Sequence, residues 1–139
     1  MKYLTLIALS FVALSSQADV DLSRLSESLC EYVKNDDRTS IRKKLKTANL
    51  ELRSTYTGFA CQPDGDFNGG SLMKAAAYYG AAEVSTFIIR KISKEDLAFM
   101  EHDGKTTKDW IQEATNNGKV VDVTKAKTIA AEVEQRIAE

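Results

Sequence analysis

Gly70-Ser71-Leu72-Met73-Lys74-Ala75-Ala76-Ala77-Tyr78-Tyr79-Gly80-Ala81-Ala82-Glu83-Val84 holds a short helix together with its start and stop signals. Ser71 is the kind of residue whose side-chain oxygen accepts an orphan N–H of a first helical turn. Leu72 to about Tyr79 is rich in alanine, the strongest helix former. Gly80 suits the left-handed conformation that closes helices. Beyond it, Val84, Phe87, Ile88 and Ile92 recur at spacings of three and four, one apolar face of a second helix. The unit is a helix pair joined at a glycine.

The same periodicity runs outward in both directions. Leu22, Leu25, Leu29, Tyr32 and Val33 predict a first helix, which Asp36-Asp37-Arg38 interrupts. Thr39 is the expected N-cap of a short helix carrying Ile41 and Leu45. Leu50, Leu52, Tyr56, Phe59 and Cys61 follow in a mixed stretch, and Pro63 opens the loop QPDGDFNGG. Toward the C-terminus, Asp103-Gly104 is a turn and Thr106 caps a helix with Trp110, Ile111 and Ala114. Asn116-Asn117-Gly118 stops it, and a last helix from about Thr124 turns Ala126, Ile129, Ala130, Val133 and Ile137 inward. Six short helices and almost no alternating pattern predict an all-α protein.

Composition narrows the setting. The 139 residues have room for one domain. MKYLTLIALSFVALSSQA, residues 1–18, reads as a signal peptide: Lys2 is the positive end, Leu4 to Leu14 the apolar stretch, and Ser16 and Ala18 the small residues of a cleavage site. That apolar stretch is about half the length needed to span a bilayer. The expected mature chain, 19–139, is a single helical domain, periplasmic or secreted, without a transmembrane segment. It keeps 18 basic and 20 acidic residues, a net charge of −2, which gives no reason to expect nucleic acid as a partner. Cys30 and Cys61 form an even pair in an exported chain, most simply a disulfide stapling the N-terminal part. Such a bridge is worth roughly 3–4 kcal/mol by loop entropy. A redox-active pair is the alternative, but catalytic pairs usually sit as C-x-x-C.

The helices also repeat. Leu25, Leu29, Cys30, Ile41, Leu45 and Leu50 fall 47 residues before Leu72, Ala76, Ala77, Ile88, Ile92 and Leu97. Gly70, Ala76 and Ala77 fall 34 residues before Gly104, Trp110 and Ile111. A helix pair every 33 to 34 residues, entered by a glycine turn, is the ankyrin spacing. Gly70 to Val84 with Phe87-Ile88-Ile89 resembles an ankyrin unit, and Asp103 to Asp109 is similar to the start of the next. No Thr-Pro-Leu-His occurs, however. The resemblance implies about three stacked helix pairs whose loop tips face a ligand. The stretch from Cys30 to Leu52, followed by a loop, Gly-Ser-Leu and an alanine-rich helix, also resembles a family of short exported bacterial proteins with no assigned function.

Four features could carry chemistry. Asp64-Gly65-Asp66-Phe67-Asn68-Gly69 places oxygen ligands at positions 1, 3 and 5 and glycine at 6, as a calcium loop opens. Positions 9 and 12 are Leu72 and Ala75, so Asp64, Asp66 and Asn68 would make only a weak Ca²⁺ site, and a polar turn accounts for the same residues. Arg38, Arg42, Lys43 and Lys46, with Lys44, form a basic ridge around Ile41 and Leu45. It suits an anionic surface, or is an ordinary solvated face neutralised by Glu31, Asp36, Asp37 and Glu51. His102, the one histidine, lies between Glu101 and Asp103 at an expected loop tip. Tyr78, Tyr79, Trp110 and Phe87 sit at helical spacing and suit packing, with Tyr78 or Tyr79 an interface anchor if turned outward.

No G-x-S-x-G, H-E-x-x-H or phosphate-binding glycine loop occurs. The expectation is therefore a non-enzymatic binding module of the periplasm, a monomer, whose partner is another periplasmic or envelope protein. Its candidate interface is Tyr78, Tyr79, Phe99, Glu101, His102 and Asp103. The alternatives are a small cell-envelope enzyme using Glu101, His102 and Asp103 or the cysteines, and a structural protein stabilised by calcium.

Overall fold

The computed structural model describes residues 17–139, with side chains from residue 22 onward. The leader expected over residues 1–18 thus lies outside the described residues, apart from Gln17 and Ala18. Eight α-helices are found among the described residues: α1 (Gln17–Lys34), α2 (Arg38–Thr47), α3 (Leu52–Thr55), α4 (Leu72–Tyr79), α5 (Ala82–Lys91), α6 (Lys94–Ala98), α7 (Thr107–Asn116) and α8 (Val123–Ala138). A 3₁₀ turn, Tyr56–Gly58, follows α3. No strand occurs among the described residues, only two isolated bridges, Cys61 with Gly70 and Asp64 with Phe67. The all-α class holds, with two helices more than the periodicity predicts. Both extra helices, α3 and α6, are too short to display a period.

Most helix starts lie where the capping residues put them. The Ser71 hydroxyl accepts from Lys74 N–H, and Gly80 closes α4 in the left-handed region at φ 71°. Thr106 caps α7 by accepting from Asp109 N–H. One expectation shifts: α2 is capped by Asp37, not Thr39, because the Asp37 carboxylate takes both the Ser40 N–H at 3.0 Å and the Ser40 hydroxyl at 2.6 Å. The last helix likewise starts at Val123, capped by Asp122.

Three helix hairpins follow one another, α1/α2, α4/α5 and α7/α8. First members pack on first members, α1 on α4 and α4 on α7. Second members do the same, α2 on α5 and α5 on α8. Most of the positions read as repeated are packed: Leu25, Leu29, Ile41 and Leu45 are buried and Cys30 and Leu50 half-buried, while Leu72, Ala76, Ala77, Ile88, Ile92, Leu97, Trp110 and Ile111 are buried. They belong to one apolar cluster running from α1 to α8. A hydrogen bond ties one hairpin to the next. The Asp36 carboxylate, in the α1–α2 turn, accepts Val84 N–H at 2.9 Å and so caps α5, whose own N-cap residue, Ala81, has no side chain to do it.

The segment between the first and second hairpins is a short pinned hairpin. Cys61 and Gly70 exchange both backbone bonds, at 2.7 and 3.1 Å, and Asp64 and Phe67 exchange theirs at 2.9 and 3.0 Å. Cys30 and Cys61 are joined by the expected disulfide, fixing the base of this hairpin to α1. At its tip Phe67 is fully buried, stacked on Tyr78 and edge-on to Trp110. Burying that ring is worth roughly 1.5–3 kcal/mol, enough to set the path of the whole loop.

Candidate functional site

Helix α4 is apolar on all sides except for Lys74, and Lys74 is 0 % exposed. A lone buried ammonium is prohibitively costly, so partners must come to it. They come from the loop between α6 and α7. The Lys74 Nζ donates to both carboxylate oxygens of Asp103, at 3.0 Å each, and lies 3.6 Å from Glu101 Oε1. It also sits 5.9 Å from the centre of the Trp110 ring. Glu101 reaches further: its Oε1 accepts Ser71 N–H at 2.8 Å and its Oε2 accepts the Thr107 hydroxyl at 3.2 Å. The loop carboxylate therefore supplements the Ser71 cap at the positive end of α4.

Burial alone would push the Asp103 carboxyl up, but hydrogen bonds from Lys74, Lys105 N–H and Asn68 together hold it below the usual carboxylate range. Tyr56 lies at the edge of this polar cluster. Its hydroxyl is enclosed beside Ser71 and Thr107 yet makes no well-formed hydrogen bond, and burial pushes its pKa up. Gly70 lets the parts meet: at φ 143° a side chain there would be strained, and its Cβ would come within 3.0 Å of Lys74 and 3.1 Å of Glu101.

What remains on the outside of this loop is apolar. Phe99 and Met100 are 56 % and 60 % exposed, side by side at the end of α6. Phe99 borders a hollow of about 150 Å³ lined also by Tyr56, Phe59, Gly70, Ser71, Glu101 and His102. His102 is exposed. The turn itself is closed by Gly104 N–H to Glu101 O at 3.0 Å and Glu101 N–H to Lys105 O at 3.1 Å.

The structure thus divides the candidate interface. Phe99 and His102 face solvent, whereas Glu101 and Asp103 turn inward to Lys74. Tyr78 and Tyr79 are half-buried around Phe67 and do not join the loop: Tyr79 donates to Asp64 at 2.6 Å, and Tyr78 stacks on Phe67. They pack as the alternative reading expects. Of the groups named for an enzyme, both cysteines are bridged, Asp103 and Glu101 lie 3.0 and 3.6 Å from the Lys74 ammonium, and the exposed His102 lines the hollow beside Glu101.

The calcium loop is likewise taken apart by its own packing. Asp64 accepts from Tyr79 and lies 3.5 Å from Lys34, which together lower its pKa. Asn68 Oδ1 accepts the Trp110 indole N–H at 2.9 Å. Asp66 is exposed, and among the described residues no cluster of three acidic, histidine or cysteine side chains has metal-binding geometry. Phe67 is the reason: its insertion into the core sends Asp64 and Asn68 to different partners.

The basic ridge is exposed as read: Arg38, Arg42, Lys43 and Lys46 all face solvent on α2. Arg42 and Lys46 border a second hollow of about 480 Å³, together with Arg53 from α3 and Lys91 from α5.

Four residues escape sequence reasoning. Lys74 has a signal, a single charge in an otherwise apolar helix, which implies burial and therefore an acidic partner. Met100 and the pair Arg53 and Lys91 have none, since only the folded loops reveal their exposure and grouping.

Neither the curated proteins nor the solved structures include a match to this chain. A family model does match, over residues 29–99, which cover the disulfide, the pinned hairpin, Lys74 and Phe99. The chain belongs to this family of proteins of unknown function, DUF3718.

Proposed function

We propose that this protein is a non-enzymatic binding module that holds another protein through the Phe99–His102 face. The observation that carries the reading is the contrast within one loop. Phe99 and Met100 stand out in solvent, while Glu101 and Asp103 beside them are clamped to a buried ammonium. Neighbouring exposed apolar side chains on a soluble surface mark contact sites. A loop already fixed loses little freedom on binding, which favours affinity. The hollow beside Phe99 offers a place for one partner side chain.

The scaffold reading adds support. The packing of α1 on α4 on α7 and of α2 on α5 on α8 supports reading the scaffold as an ankyrin-like stack, in which loop tips would carry recognition while the helices keep the frame. Export fits as well. The leader expected over residues 1–18, the disulfide and the lack among the described residues of any helix long and apolar enough to cross a membrane support a periplasmic or secreted protein, which would act on an envelope partner. The test is affinity capture from envelope extract with wild type and Phe99→Asp. A protein retained by the first and lost by the second, with unchanged melting temperature, is the expected outcome. Identical captured sets would overturn the reading.

A further inference from the structure

The second hollow lies away from the Phe99 loop and shares no residue with it. Its rim carries four cations from three helices: Arg42 and Lys46 on α2, Arg53 on α3 and Lys91 on α5. Among the described residues none of the four has an ion-pair partner, although the chain as a whole is slightly acidic. One carboxylate, Glu51, borders the same hollow. The floor is apolar, with Leu50 half-buried and Phe87 nearly covered beneath Lys91, whose Nζ stands 6.0 Å from the ring centre. Folding therefore gathers like charges that sequence distance keeps apart. That arrangement raises the local potential, with Glu51 as the one carboxylate in the lining to offset four cations.

We propose that this hollow docks the protein on an anionic membrane surface, its four cations meeting phosphate-bearing lipid headgroups and Leu50 touching the interface. A protein partner is the poorer match. Such interfaces draw their energy from desolvated anchors seated in pockets, and the one aromatic of this floor, Phe87, is nearly covered. Long, exposed basic side chains around an apolar floor need only charge density opposite them. Each basic residue near an anionic leaflet strengthens association roughly fivefold, within a Debye length of the surface.

The experiment is vesicle co-sedimentation of the full chain with phosphatidylcholine alone and with added phosphatidylglycerol. The difference between the two is the readout, so that any insertion of the apolar N-terminus cancels. Wild type should prefer the anionic vesicles, and raised salt should remove the preference. Arg42→Glu with Lys46→Glu, and separately Arg53→Glu with Lys91→Glu, should each weaken it by at least roughly twentyfold. The control pair Lys119→Glu with Lys127→Glu makes the same change in net charge away from the hollow and should cost much less. No anionic preference, or an equal loss in the control pair, overturns the proposal. So does displacement by polyglutamate, which would make an acidic polypeptide the occupant, or by glycerol phosphate at matched ionic strength, which would make it free phosphate.

Discussion

Lys74 shows how much a single residue decides here. A charge at that position in α4 forces the 101–103 loop to fold back, and the loop in turn exposes Phe99 and Met100. Removing one member of a buried ion pair leaves the other uncompensated. Asp103→Ala should therefore cost about 3 kcal/mol in chemical denaturation, the lower end of the usual range, because Glu101 still lies 3.6 Å from the ammonium. A loss below about 1 kcal/mol, the size of a surface pair, would contradict the brace. The pH dependence has a definite sign. The Asp103 pKa is lowered in the folded state, so its contribution is complete above about pH 4, the ordinary aspartate value, and is lost as pH falls toward the folded value. Melting temperatures measured across this window should fall in wild type and fall less in Asp103→Asn. Little of this was legible beforehand. Glu101 and Asp103 stood out as charged residues near a turn, but their direction, inward rather than outward, follows from a lysine 27 and 29 positions earlier that periodicity treats as one more helical residue.

At the scale of elements, local signals served well where one residue controls one turn. Ser71, Gly80 and Thr106 do what their types predict, and apolar spacing identifies every helix long enough to show a face. Where a choice depends on distant packing, local reading fails. The 61–70 segment has the composition of a polar turn and part of a calcium loop, yet Phe67 turns it into a core element. The cap of α2 is a different case, decided locally between two candidates: Asp37 takes it from Thr39 because its carboxylate accepts twice from Ser40. The Cys30–Cys61 disulfide holds that segment on α1 across a sequence separation of 31. Cys30→Ala with Cys61→Ala should lower unfolding free energy by roughly 3–4 kcal/mol in denaturant titration. Helical circular dichroism should persist in the double variant, because the apolar cluster extends well past this corner. Loss of all helicity would mean that the staple is the foundation of the fold, not its reinforcement.

Across the whole molecule, two surfaces are set apart by a single continuous core. The 47-residue offset between first and second hairpins and the 34-residue offset between second and third were readable because repeated apolar positions occupy equivalent places in the packing. The gathering of Arg53 and Lys91 with the α2 ridge was not, since it depends on how α3 and α5 lie beside α2. The proposed division of labour is a braced apolar loop that grips a protein and a basic hollow that sits on a membrane. The grip is the central claim, and it is tested most directly in intact cells by placing a benzophenone photo-crosslinking side chain at position 99, with position 127 on the exposed face of α8 as the comparison. The account predicts a discrete crosslinked protein from position 99 and none from position 127. The same adducts from both positions, or none from position 99, would contradict it.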